Sequence, residues 1–388
     1  MREPMVIYWY GGHRGFGRKC LVCAFYSLAL LVNLWGCAKR EGVPPARLPE
    51  LMKELGDPDP RVRERAAGVL SNYKEQAWQV VPKLAAALDD PDPGVRERAV
   101  GSLGSMGRYA ASVKPQIIRM LRDKNNSVRT VAAMSLAEIG GLSEADVNAL
   151  SALLTDPQGS VRMSPEDPQR GVRISVAEAI GSAGTAGRAA LPNLEAALGD
   201  RDAGIRGAAA KAIGLVGSDR ASSVEGLSRL LTDRDEFASD EAAKALAQLG
   251  RPASAAAPAL RVALKAKSGR TRVFAALALW RASRDAEAAV PVLVDNLSTQ
   301  EINSGGAVPV NQPDVYVRRS AAESLTEIAD SGARAREIVQ KSLKERIAAA
   351  PPDVEQGIRE ILDKIGKGNG GNSGDDIPLG KEKADKPN

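Results

Sequence analysis

The 388-residue sequence is 44% hydrophobic but only 4% aromatic, so its apolar content is mostly Ala, Leu and Val, the residues of closely packed helices. Of its formal charge of +5, residues 1–36 hold a net +3 (Arg2, Arg14, Arg18 and Lys19 against Glu3), and the nearly neutral remainder gives no electrostatic footprint for nucleic acid. The single histidine, His13, and all three cysteines, Cys20, Cys23 and Cys37, fall in the first tenth of the chain. Past Cys37, that excludes Ser-His and Cys-His nucleophile pairs, ordinary zinc sites and a disulfide framework.

Residues 1–19 are basic, Gly-rich and aromatic, and Cys20–Gly36 is a run of seventeen mostly apolar residues without a charge. The run is long for a signal-peptide core and short for a membrane span of about 20 residues. It closes on Leu34-Trp35-Gly36-Cys37, which resembles a bacterial lipobox, although Trp35 is bulkier than the residue usual there. The resemblance implies a lipoprotein signal peptide at 1–36, lipidation of Cys37 as the new N-terminus, and a linker at 37–47. It further implies a cell-envelope protein anchored in a membrane and facing the periplasm or exterior. An uncleaved anchor and an ordinary signal peptide are the alternatives.

From residue 48 the sequence repeats itself. Asp57-Pro58-Asp59-Pro60 leads to Val62-Arg63, Asp90-Pro91-Asp92-Pro93 to Val95-Arg96, Asp123 to Val128-Arg129, and Asp156-Pro157 to Val161-Arg162, at a spacing of 33 residues. An 11-residue step reaches Val172-Arg173. The register resumes at Ile205-Arg206, Ala238-Ser239 and Thr271-Arg272, and a 46-residue step reaches Val317-Arg318. Eight units over about 48–343 follow, with a terminal helix at about 353–365. Each unit reads as two helices. The second starts at an acidic cap with proline just inside, as at Asp59-Pro60, because Asp accepts free N–H groups and proline needs no acceptor there. Val62, Ala66 and Val69-Leu70 form its core stripe, and Gly107, Gly140, Gly217 and Gly250 are suited to left-handed C-caps. Gly181 and Gly184 are read as helix ends rather than a nucleotide loop.

The Thr-Pro-Leu-His turn of ankyrin and the spaced aromatics of tetratricopeptide repeats are both absent. The pattern Leu-x-x-Leu-x-Asp-x-x-x-x-Val-Arg-x-x-Ala-x-x-x-Leu is similar to short HEAT-like repeats of the phycobilisome-lyase type, over about three quarters of the chain. The resemblance implies an all-α, right-handed α-solenoid of about eight helical hairpins, spanning 48–365 with a C-terminal capping helix, while the Gly-, Asn-, Lys- and Asp-rich tail at 366–388 reads as disordered. It also implies that Asp57, Arg63, Asp90, Arg96, Asp123, Arg129, Arg173 and Arg206 form a structural ladder between neighbours. Unit six carries Ser239 in place of the arginine, so the ladder is expected to break there.

No catalytic residues, cofactor or metal site are expected: the carboxylate pairs sit in repeat turns, and the seven aromatics past Cys37 cannot line a deep glycosidase cleft. The expected function is a non-enzymatic, membrane-tethered scaffold for a protein partner, itself monomeric. A bilin-lyase-like accessory subunit and a structural envelope spacer are the alternatives. Equivalent positions on the second helices are polar in the first two units and the last, whereas unit seven offers Val273, Phe274, Leu277 and Trp280. These are read either as an exposed apolar patch that anchors the partner or as core. Two insertions, 162–171 and about 299–313, are expected to enter the turn between the two helices of a unit and to project from one edge.

Overall fold

In the computed structural model, residues 47–154, 170–297, 313–348 and 350–366 are described. Cys37, the leader, the tail, and all but the last residue or two of each insertion lie outside these residues.

The chain is a succession of paired helices. Unit one is α1 (Leu48–Glu54) and α2 (Pro60–Leu70). It is followed by α3 (Ala77–Ala86) with α4 (Pro93–Met106), α5 (Lys114–Met120) with α6 (Asn126–Ile139), and α7 (Glu144–Ser151) with α8 (Arg170–Ser182). Next come α9 (Leu191–Ala197) with α10 (Ala203–Val216), α11 (Ala221–Leu230) with α12 (Glu236–Leu249), α13 (Ala257–Ala263) with α14 (Gly269–Ser283), and α15 (Ala286–Asp295) with α16 (Pro313–Asp330). A last pair follows, α17 (Ala333–Ile347) and α18 (Pro352–Gly366). The even-numbered helices pack on one another in series from α2 to α16 and form one row; the odd-numbered helices cover it as a second row. This is the expected α-solenoid. The two insertions connect α7 to α8 and α15 to α16, each inside a unit.

Local chemistry explains the boundaries. Each of α2, α4, α6, α10, α12 and α14 begins at a side-chain cap, namely Asp59, Asp92, Asn125, Asp202, Asp235 and Ser268, whose oxygen accepts backbone N–H groups of the first turn. Four inner helices stop at Gly107, Gly140, Gly217 and Gly250, with φ between 59° and 72°. Gly184 is similar at φ 57°, but Gly181 lies inside α8, where an added Cβ would stand 3.2 Å from Ala212 Cα. In the last turn of that helix it is a close-approach glycine rather than a left-handed cap.

The core is two columns of aliphatic side chains in the repeat register. Leu70, Leu103, Leu136, Ile180, Ile213, Leu246, Leu279 and Leu325 descend the inner row; Leu51, Leu84, Ile117, Leu150, Leu194, Leu227, Leu260 and Leu293 descend the outer one, and all are fully buried. Each such burial contributes about 2 kcal/mol. No unit can bury its own pair without the next one stacked upon it, so the array folds by mutual coverage.

Candidate functional site

The turn between the two helices of a unit carries the ladder. The Arg63 guanidinium donates from Nε and Nη2 to the two carboxylate oxygens of Asp90, at 2.7 and 2.8 Å, and from Nη1 to the carbonyls of Asp57 and Pro58, at 2.8 and 3.1 Å. Arg96 repeats this with Asp123 and the carbonyls of Asp90 and Pro91, and Arg206 with Asp233 and the carbonyls of Asp200 and Arg201. Arg173 pairs with Asp200 and donates to Leu154 O. Each arginine therefore fastens its own turn and reaches the carboxylate 27 residues on. The aspartates in turn accept the N–H two residues later, for example Asp92 to Asp90 at 2.9 Å. Such bidentate, charge-assisted pairs are strong and geometrically exacting. Hydrogen bonds from Arg63 and Arg96 hold the Asp90 and Asp123 carboxyls below the usual carboxylate range. At Asp233 burial acts upward, but the bonds from Arg206 and from backbone N–H groups outweigh it and the net shift is downward.

Two ladder residues have fewer links. Asp57 accepts the Asp59 N–H in its own turn, and no arginine reaches its carboxylate among the described residues. Arg129 donates to the carbonyls of Asp123 and Lys124, while its Nε has no acceptor among the described residues; Asp156, the carboxylate in register, lies outside them. A second thread runs deeper: the buried hydroxyls of Ser102 and Ser135 donate to Ala67 O and Val100 O of the preceding inner helix, at 2.8 and 3.0 Å. Sequence reading missed it, although Ser102 and Ser135 recur at the 33-residue period.

Between units six and seven both halves of a rung are replaced. Ser239 stands at the arginine position and Ala266 at the aspartate position. In their place the Ser239 and Thr271 hydroxyls lie 3.2 Å apart, and Thr271 and Ser268 both donate to Asp240. The break expected at Ser239 is thus bridged by hydroxyls, and a cleft of about 810 Å³ opens beside it, lined by Arg234, Glu236, Arg261 and Lys265 among others. The ladder resumes with an amide: Arg272 donates to the carbonyls of Ala266 and Lys267 and to Asn296 Oδ1, all at 2.9 Å.

The four unit-seven residues singled out from the sequence do not form an exposed face. Val273, Phe274, Leu277 and Trp280 are 0, 8, 8 and 4% exposed. The physical reason is that α14 packs on α12 and α16 in its own row and on α13 and α15 in the other, so every side of it is covered. Phe274 lies against Tyr316 of α16, with ring centroids 6.3 Å apart.

Trp280 is nevertheless unusual. It occupies the column held by Gly104, Gly181 and Gly214 in other units, and it lines a cleft of about 760 Å³ between the end of α14 and the start of α17. Its indole Nε1–H is buried without an acceptor among the described residues. The Arg284 guanidinium lies 4.7 Å from the indole centroid. Arg284 closes α14 in the left-handed conformation, φ 60°, that other inner helices give to glycine. Across the cleft, α17 starts at Gly332 with no side-chain cap. Two carboxylates line the same cleft: Asp285, which caps Ala288 N and pairs with Arg261, and Glu287, which pairs with Arg334 at 3.2 Å.

Among the described residues no group of His, Cys, Asp or Glu is gathered as a metal site would need, and no helix is long and apolar enough to cross a membrane.

Comparison with known proteins agrees with this architecture. The HEAT repeats family matches residues 48–111, 81–166 and 162–245, together just over half of the chain. The chain belongs to the HEAT repeat family. No curated protein matches the sequence. Among solved structures, Kap95p, described in its effect on RanGDP, is 14% identical, with 82% of this chain covering 46% of that one at a TM-score of 0.52, a likeness of fold. An engineered protein is 20% identical, covering 84% of this chain and 93% of its own at a TM-score of 0.46. The CpcE–CpcF complex of phycocyanin lyase from Nostoc sp. PCC7120 is 22% identical, covering 74% and 97% at 0.40.

Proposed function

We propose that this HEAT-repeat chain is a non-catalytic scaffold for a protein partner, tethered to a membrane through lipidated Cys37 and working outside the cytoplasm as a monomer. The ladder is the observation that carries the reading. Arginines 63, 96, 173 and 206 each fix one turn to the next, so the array holds its neighbours in a set geometry and presents a long surface without building a reaction centre. Kap95p, a protein of the same fold, is described in its effect on RanGDP, which supports a protein as the partner.

Crosslinking in cells followed by capture from solubilised membranes tests the scaffold. A stoichiometric protein partner is expected, and a chain recovered alone at every crosslinker concentration would favour the envelope-spacer reading instead. Metabolic labelling with palmitate tests the tether separately: label in the parent and none in Cys37→Ser is expected, and an unlabelled parent removes the lipid anchor.

A further inference from the structure

We propose that the groove between α16 and α18 is a peptide-docking site, and that its ligand is this chain's own segment Asp375–Leu379, folded back on the helix it leaves. This ligand is independent of any partner the scaffold holds. The groove has a volume of about 380 Å³, within the range of small-ligand sites. Its walls are mainly apolar: Leu297 and Ala322 of α16 stand on one side, Gly357, Ile358 and Ile361 of α18 on the other. Arg318, Arg319 and Lys364 surround it against Glu323 and Glu360, an excess of one positive charge. Arg319 is bound to Glu323 at 2.8 Å, whereas Lys364 takes part in no ion pair among the described residues.

Gly357 points to an occupant. It lies inside α18, where glycine weakens a helix relative to alanine. At Gly181 and Gly214 a close neighbouring helix demands the loss of a side chain, but a Cβ added at Gly357 would meet no described atom within 4 Å. Packing within the array therefore does not require this glycine. It leaves room in the groove wall for another chain to approach.

Reach, apolarity and charge select the occupant. The segment is joined to α18 by eight residues, Lys367–Gly374, of which four are glycine. A Gly-rich stretch of that length spans roughly 16 Å, and the groove runs about 15 Å along α18 from Val354 to Lys364. Ile377-Pro378-Leu379 is the one run of three apolar side chains from Lys367 to Asn388, and its proline favours the extended form that a groove accepts. Asp375 and Asp376 precede it, opposite in sign to Lys364 and Arg318 on the rim. Docking there covers apolar surface on the last described pair of helices, on which no further described unit stacks.

The test is nuclear magnetic resonance of the full-length protein, ¹³C-labelled at isoleucine and leucine methyl groups. The Ile377 methyl signal is identified by its loss in Ile377→Val. It is expected away from its position in a free peptide, with a nuclear Overhauser contact to Ile361. Gly357→Leu, which fills the groove with a better helix former, is expected to return it to the free position without lowering the thermal unfolding temperature. An effective concentration of the order of 1 mM holds the segment docked about ten to one when its intrinsic Kd is about 0.1 mM. The full chain with Ile377→Ser and Leu379→Ser should therefore bind added N-acetyl-Gly-Asp-Asp-Ile-Pro-Leu-Gly amide at about that Kd. Adding Lys364→Glu should weaken the peptide about threefold. An Ile377 signal at the free position in the parent overturns the docking, as does one that stays docked in Gly357→Leu. A signal that moves to the free position on hundredfold dilution assigns the groove to a second copy and overturns the intramolecular ligand. Should Gly357→Leu misfold, the peptide decides: failure to saturate the double variant by about 10 mM overturns the site.

Discussion

The first two turns of the array and the junctions around unit seven solve one problem in opposite ways. Between units one and three Arg63 and Arg96 each meet their aspartate, the inner helices of units two and three end in glycine, and the register never slips. From unit six onward one rung is rebuilt from Ser239, Thr271, Ser268 and Asp240, the next uses Asn296 instead of a carboxylate, and the helix closes on Arg284. The regular region spends its polar groups on itself. The irregular region replaces charged pairs with hydroxyls and an amide. Repeat proteins can vary in this way, because nearest-neighbour coupling lets one junction change without unfolding the rest.

The contrast can be broken by substitution. Repeat arrays open locally, so hydrogen exchange read unit by unit is the appropriate measurement alongside thermal unfolding. The largest effect is expected at Gly214, where an added Cβ would stand 2.8 Å from Ala245 Cα, although the same column holds Trp280 two units later. Gly214→Leu should cost about 3 kcal/mol by overpacking, seen as lost protection in α10 and α12; unchanged protection would mean that the helices do not approach so closely. Arg206→Ala should cost about 2 kcal/mol, since a carboxylate and two carbonyls lose charged donors. Arg272→Ala, which gives up a neutral amide in the carboxylate's place, should cost about 1 kcal/mol. Equal losses would erase the distinction between the two regions.

Acid offers a test without mutation. The Asp90 and Asp123 carboxyls are depressed by their arginines, and Asp285 by Arg261. A depressed carboxylate stabilises the fold fully above its unfolded value near 3.9 and loses that contribution as pH falls through the folded value. Protection of the early turns should thus hold from pH 7 to about 5 and collapse below about 4, whereas the Ser239 junction, short of one arginine–aspartate pair, should respond less. Restoring the rung with Ser239→Arg and Ala266→Asp should add about 1 kcal/mol and make that junction acid-sensitive like the others. The smallest expected effect is at Arg284→Gly, a gain of about 0.5 kcal/mol from relieved backbone strain, less the lost contact with Trp280.

The fold was legible because its determinants are local or strictly periodic. The Asp-Pro cap, the glycine stop and the buried leucine column all recur at one spacing, so each unit reads the next. The unit-seven residues were read as a possible face because comparison down a column assumes that each helix has an open side. The eight-residue run from Val273 to Trp280 holds no polar residue, and a helix apolar all round is a covered one. That signal was present. The cleft between α14 and α17 was not legible, because it joins Trp280 and Arg284 to Ala333–Ala335 across the 46-residue step, where no period relates one side to the other.

The fixed reach of 27 residues in the ladder has a consequence for how such a chain changes length. Cutting out 33 consecutive residues that begin anywhere from 64 to 90 sets Arg63 opposite Asp123 instead of Asp90, at the same separation, and duplicating 33 residues supplies one new arginine with one new aspartate. Whole-unit gain or loss therefore keeps the ladder's charges paired and leaves no orphan at the seam, while an insertion of any other size breaks the 33-residue period, as the 11- and 46-residue steps do. The pairing rule that ties one turn to the next is also the rule that lets the gene grow by tandem copying.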